Sequence, residues 1–106
     1  MSTKFAWSWR VKEECLAEYV QMHADPWPEV LEEHRKAGIR NYSIFQEGTT
    51  FFYCFECDDV EGAFAYIAQS EVCGRWNALT SGMMQVSFDM AEAEPIRPMR
   101  EIFYLR

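Results

Sequence analysis

The stretch Ile39-Arg40-Asn41-Tyr42-Ser43-Ile44-Phe45-Gln46-Glu47-Gly48-Thr49-Thr50-Phe51-Phe52-Tyr53-Cys54-Phe55-Glu56-Cys57 decides the fold. Its aromatic and β-branched residues favour extended backbone, and Glu47-Gly48 interrupts them where a short turn can reverse the chain. The pattern predicts a strand over Ile39–Gln46 and another over Thr49–Cys57, lying antiparallel across a hairpin-like turn. Successive strand side chains point to opposite faces, so Phe51, Tyr53 and Phe55 share one face while Phe52 and Cys54 share the other. Both faces of this strand are apolar.

Toward the N-terminus, Phe5, Trp7, Trp9 and Val11 alternate with Ala6, Ser8 and Arg10, which predicts a first strand over Phe5–Val11. From Lys12 to Ala24 the period changes. Leu16, Tyr19, Val20 and His23 fall within an arc of about 100° and form one face of a helix. Asp25-Pro26-Trp27-Pro28 then interrupts it, because an interior proline loses a backbone hydrogen bond and clashes with the preceding turn. Asp25 is the expected N-cap of the next helix and Pro26 its first residue. Trp27, Val30, Leu31 and His34 would make its buried stripe, and Gly38 its left-handed C-terminal residue.

Beyond the hairpin, Asp58 or Asp59 caps a helix through Ala68, and Ser70 caps another carrying Val72, Trp76 and Leu79. Met83–Met90 reads either as the end of that helix or as extended chain. After a loop containing Pro95 and Pro98, Arg100–Leu105 reads as a final strand. This order matches the ferredoxin-like split β-α-β of α+β domains with an antiparallel sheet. A chain of 106 residues suits one domain, spanning residues 1–106, and shows no linker or repeat. One helix layer covers one sheet face, so the second apolar face is expected to pack on another copy, giving a homodimer.

With 49% hydrophobic, 16% aromatic and 25% charged residues, the chain has enough apolar surface to fold. Its net charge of −7 repels phosphate backbones and anionic headgroups, which argues against nucleic acid and membrane surfaces as partners. Apolar runs such as Phe51–Phe55 are far below the roughly 20 residues that span a bilayer, and the N-terminus has no signal-peptide core. A cytoplasmic location is the expectation. Cys15, Cys54, Cys57 and Cys73 allow disulfides or a zinc site by count. Cys54 and Cys57, however, lie three apart on a strand and point to opposite faces, so reduced, packed thiols fit better.

Two histidines bound the acid/base chemistry. His23 follows Tyr19 by one turn, so the two are either residues at the core edge or a proton-exchanging imidazole with a phenol beside it. His34, among Glu32, Glu33, Arg35 and Lys36, reads more readily as a helix-end residue. No H-E-x-x-H spacing or carboxylate cluster defines a metal shell, so no metal is expected. Trp76 is either core or a ring presented to the C–H face of a sugar, and Tyr42 either a half-buried strand residue or a polar handle in a pocket. Phosphate-binding glycine loops and a G-x-S-x-G elbow are absent from the sequence, which removes most support for phosphoryl transfer and serine hydrolysis.

Three stretches together resemble the L-rhamnose mutarotase family over nearly the whole chain: Glu18-Tyr19-Val20-Gln21-Met22-His23-Ala24-Asp25-Pro26-Trp27-Pro28-Glu29, Ala37-Gly38-Ile39-Arg40-Asn41-Tyr42-Ser43-Ile44, and Arg100-Glu101-Ile102-Phe103-Tyr104-Leu105. The resemblance implies a dimeric α+β barrel and cofactor-free interconversion of the α and β anomers of a deoxy-aldopyranose. By motif it makes His23 the acid/base, Tyr19 and Tyr42 pocket tyrosines and Trp76 the pocket tryptophan. The chain departs from the family pattern in Trp76-Asn77, where a doubled tryptophan is usual, and in Met90-Ala91-Glu92-Ala93-Glu94-Pro95, where an Asn-Pro-Asp-Asn-Ser-Pro-like loop is usual. Relatives with a single tryptophan look like L-fucose mutarotases. The rival expectations are a cofactor-free oxygenase or isomerase on the same scaffold and a small-ligand sensing module.

Overall fold

Antiparallel pairing organises the chain. A computed structural model describes residues 3–85 and 96–106. Among them β1 (Thr3–Arg10), β2 (Arg40–Glu47) and β3 (Thr50–Cys57) form one sheet in the order β1-β3-β2. Helices α1 (Leu16–Ala24), α2 (Pro28–Lys36), α3 (Val60–Gln69) and α4 (Glu71–Ser81) lie between and after the strands, and a short 3-10 turn at Glu13–Cys15 leads into α1. The α+β class and the β2–β3 hairpin follow the sequence pattern, with Gly48 at φ +60° turning the chain between the strands.

Register sorts the side chains. Phe5 lies opposite Phe55, Trp7 opposite Tyr53 and Trp9 opposite Phe51, all on the face that carries the core. Ser8 opposite Phe52 and Ala6 opposite Cys54 occupy the other face. Cys57 accordingly sits in the core while Cys54 is only half-buried on the outer side. In β2, Arg40 lies opposite Glu56 and Ser43 opposite Cys54, so this strand holds one extra residue between them. Asn41, at φ +51°, lies in that bulge; asparagine tolerates the left-handed region better than most residues.

Three expectations are corrected. The second helix starts at Pro28 with Trp27 as its N-cap, not at Pro26 with Asp25. A residue before proline is pushed out of the helical region, and Trp27 is extended at φ −64°, ψ 127°, so no helix can include it ahead of Pro28. On α1 the apolar face is narrower than the sequence arc: Tyr19 is buried but Val20 is exposed. Among the described residues, Arg100–Leu105 pairs with no strand and forms none. Its approach is anchored by the Met99 amide donating to the Ala6 carbonyl oxygen at 2.8 Å, and Ile102, Phe103 and Leu105 are 82%, 76% and 81% exposed. The expectation for Met83–Met90 is settled only in part. Met83 and Met84 follow α4 and are buried, Val11 bridges to Met84, and residues 86–95 lie outside the described set, as does Pro95.

The remaining ends form as the sequence dictates. Gly38 adopts φ +89° after α2, Asp59 accepts from the Gly62 amide at the start of α3, and the Ser70 hydroxyl accepts from the Cys73 amide at the start of α4. Among the described residues no helix is long and apolar enough to cross a membrane.

Candidate active site

The site begins with the spacing of Tyr19 and His23 on α1. One helical turn brings their rings to 4.5 Å between centroids. His23 Nδ1 lies 2.8 Å from the Tyr19 carbonyl oxygen, and since a carbonyl can only accept, Nδ1 carries the proton and Nε2 keeps a lone pair. Burial lowers the His23 pKa from its ordinary value of 6.5, with the bond to the Tyr19 carbonyl opposing the shift. The ring is therefore neutral at pH 7.

Tyr19 is buried beneath this histidine, and its hydroxyl lies 2.6 Å from that of Tyr53 on β3. Burial pushes the Tyr19 phenol up to about 12, against the lowering effect of the Tyr53 hydrogen bond. Tyr53 is raised further, first by burial and then by the charge an ionised Tyr19 would place beside it. Both phenols are protonated donors near neutrality. The pair exists because Tyr53 shares the inner face of β3 with Phe51 and Phe55, and Phe51 meets the Tyr19 ring edge-on at 4.9 Å.

Trp76 enters from α4, edge-on to His23 at 5.4 Å and to Trp27 at 5.2 Å. It is buried yet borders the cavity, so core packing and a wall are both part of its position. Tyr42 stands beside the β2 bulge, its ring 5.4 Å from Phe55 and 6.3 Å from Trp7. It retains an exposed edge while burial of its hydroxyl raises its pKa.

All four residues singled out in the sequence, Tyr19, His23, Tyr42 and Trp76, line one cavity of about 730 Å³. That volume lies in the range of small-molecule sites. The same cavity is bordered by Tyr53 and by His34, for which the sequence pattern alone indicates an inner strand face and a helix end respectively. Strand parity could have assigned Tyr53 to the inner face; no sequence signal says which helix residue meets it.

A neutral imidazole whose Nε2 keeps its lone pair, a protonated phenol on the same helix face and an aromatic-walled cavity are the groups that acid/base chemistry on a small polar molecule requires. The family model for L-rhamnose mutarotase matches residues 4–105, and the chain belongs to the L-rhamnose mutarotase family. It is 35% identical over 91 residues to the L-rhamnose mutarotase of Bacillus subtilis (strain 168) and 32% identical over 91 residues to that of Shouchella clausii (strain KSM-K16), in each case covering 83% of this chain and 84% of the relative. The crystal structure of an L-rhamnose mutarotase from Formosa agariphila superposes with a TM-score of 0.77 at 23% identity, covering 98% of this chain and 99% of that one, which establishes a shared fold.

Proposed function

We propose that the protein is a cofactor-free aldose mutarotase acting on L-rhamnose or a related deoxy-sugar, with His23 and Tyr19 as its catalytic residues. The observation that carries the reading is the 2.8 Å approach of His23 Nδ1 to the Tyr19 carbonyl oxygen, which assigns the proton to Nδ1 and leaves a basic Nε2 on a ring that borders the cavity. Anomer exchange needs little more. Nε2 takes the proton from the O1 hydroxyl as the C1–O1 bond becomes a carbonyl and the C1–O5 bond breaks. The Tyr19 hydroxyl gives a proton to O5, while Tyr53 donates to the Tyr19 oxygen and stabilises the charge left there. Rotation about C1–C2 presents the other aldehyde face, and reversal of the two proton transfers closes the ring as the other anomer. General acid–base assistance of this kind contributes about 10²–10⁴-fold. Trp76 offers an indole wall to the C–H face of the sugar, and Tyr42 a phenol to a hydroxyl.

Asn77 also borders the cavity, placing a carboxamide where the family pattern has a second indole. Sugar preference is therefore tested across a panel. Saturation-transfer NMR should show enhanced anomer exchange for at least one of L-rhamnose, L-fucose and L-lyxose over an enzyme-free blank; exchange at the solvent rate for all of them removes the reading.

The working form in this proposal is a cytoplasmic homodimer, the dimeric α+β barrel. Phe45 and Phe52 on the outer sheet face, with rings 6.4 Å apart, and the exposed apolar C-terminal segment supply surface for a second copy.

A further inference from the structure

His34 borders the same cavity as His23, yet the acid/base chemistry gives it no part. It repeats on α2 the arrangement of His23 on α1. Its Nδ1 lies 2.7 Å from the Val30 carbonyl oxygen, one turn earlier, so Nδ1 carries the proton and Nε2 keeps its lone pair. Burial lowers its pKa, against the Val30 bond and the nearby Glu33 charge, and the ring is neutral near pH 7.

A continuous aromatic wall joins the two imidazoles. The His23 and Tyr19 rings are 4.5 Å apart, the Tyr19 and Tyr53 hydroxyls meet at 2.6 Å, and Tyr53 stacks on Trp7 at 5.0 Å. Trp7 then meets Tyr42 at 6.3 Å, and Tyr42 meets His34 at 6.0 Å. Indoles only donate and phenols do both, while His23 Nε2 is assigned to the anomeric end, so His34 Nε2 gives the Tyr42 end of the wall a dedicated neutral acceptor. Pyranoses of one ring size differ chiefly in where their hydroxyls point. A desolvated acceptor left unpaired discriminates strongly against a sugar lacking the matching hydroxyl.

Building on the mutarotase reading, we propose that His34 is a specificity-determining sugar-binding residue, its Nε2 accepting a hydrogen bond from a ring hydroxyl away from the anomeric carbon, next to Tyr42. The test compares KM and maximal exchange rate for L-rhamnose, L-fucose and L-lyxose in the wild type, His34→Leu and His34→Gln. Leucine removes the acceptor and keeps an apolar side chain; glutamine restores an acceptor oxygen near the reach of Nε2. His34→Leu is expected to raise KM about ten-fold for the preferred sugar, less for the others, with maximal rate nearly unchanged. His34→Gln should recover most of that loss.

Unchanged KM in His34→Leu, or an equal loss on all sugars, overturns the assignment. Wild-type exchange for none of the panel removes the mutarotase reading instead, and the assignment is then judged on binding. Nitrogen NMR of isotope-labelled histidine in the wild type serves that purpose, and also the case in which His34→Leu does not fold. A shift of the His34 Nε2 resonance that saturates with the sugar supports the assignment, and an unmoved resonance at saturating sugar overturns it.

Discussion

His23→Asn separates binding from proton transfer, because asparagine keeps a hydrogen-bonding side chain but cannot take up a proton in the working pH range. The expected outcome is loss of most enzyme-dependent exchange, by about 10²-fold or more, with sugar binding largely retained. A folded His23→Asn protein exchanging at the wild-type rate would remove His23 from the mechanism. The pH profile gives a second reading. Since burial holds the His23 pKa below 6.5, the basic form persists below that pH, and activity should fall only as pH drops through the lowered value. Stability moves in the same direction. Below 6.5 the unfolded chain takes up protons at both histidines before the folded chain does, so stability falls with pH until the folded pKa values are passed, as acid melts can follow. Tyr53→Phe tests the phenol pair. It leaves the Tyr19 hydroxyl without that partner, with an expected cost of about 1 kcal/mol and a reduced exchange rate, measured by thermal melts beside NMR. Tyr19 and His23 were legible in the sequence because helical spacing puts them on one face. Tyr53 and His34 were not legible as site residues, since their meeting with the site depends on how the helices sit on the sheet.

The elements were readable wherever a terminus has local chemistry of its own. Asp59 and Ser70 cap their helices as their side chains dictate, and Gly38 and Gly48 take the positive φ that a side chain would strain. Asp25-Pro26-Trp27-Pro28 is ambiguous in sequence because two prolines each offer a first helical position, and the extended backbone that Pro28 imposes on Trp27 decides between them. The Asp59 cap carries a prediction at this scale. Asp59→Ala removes the acceptor for the Gly62 amide and should cost about 1 kcal/mol of stability, while exchange per folded molecule stays near wild type because Asp59 does not border the cavity. Gly62→Ala would force the Asp59 carboxylate to shift from its present position, so its weakened cap opposes the gain in helix propensity and the net change in stability should be smaller than for Asp59→Ala. A melt showing no loss for Asp59→Ala would mean that tertiary packing alone holds the start of α3.

At the scale of the whole molecule, the sequence pattern of Arg100–Leu105 marks a strand, yet the described chain gives it no strand to pair with. β-Pattern reports side chains suited to a pleated, half-buried surface and does not say which chain supplies that surface. The segment is held near β1 by the Met99 amide on the Ala6 carbonyl, by the Lys4–Glu101 ion pair at 3.3 Å, and by the Lys4 ammonium 3.7 Å from the centre of the Tyr104 ring. These exposed contacts are weak, whereas burying a large apolar side chain is worth about 1.5–3 kcal/mol. Ile102, Phe103 and Leu105 therefore have most to gain from a second copy. Deleting residues 100–106 should leave the sheet and the core of one chain folded, because these residues are exposed in the chain and bury no core group. The same deletion should shift the proposed homodimer toward monomer at micromolar concentration. Sedimentation of the full-length and shortened proteins, with circular dichroism on both, distinguishes the outcomes. A shortened protein that remains fully dimeric would transfer the interface to the outer sheet face around Phe45 and Phe52, and a full-length protein that sediments as a monomer would remove the homodimer altogether.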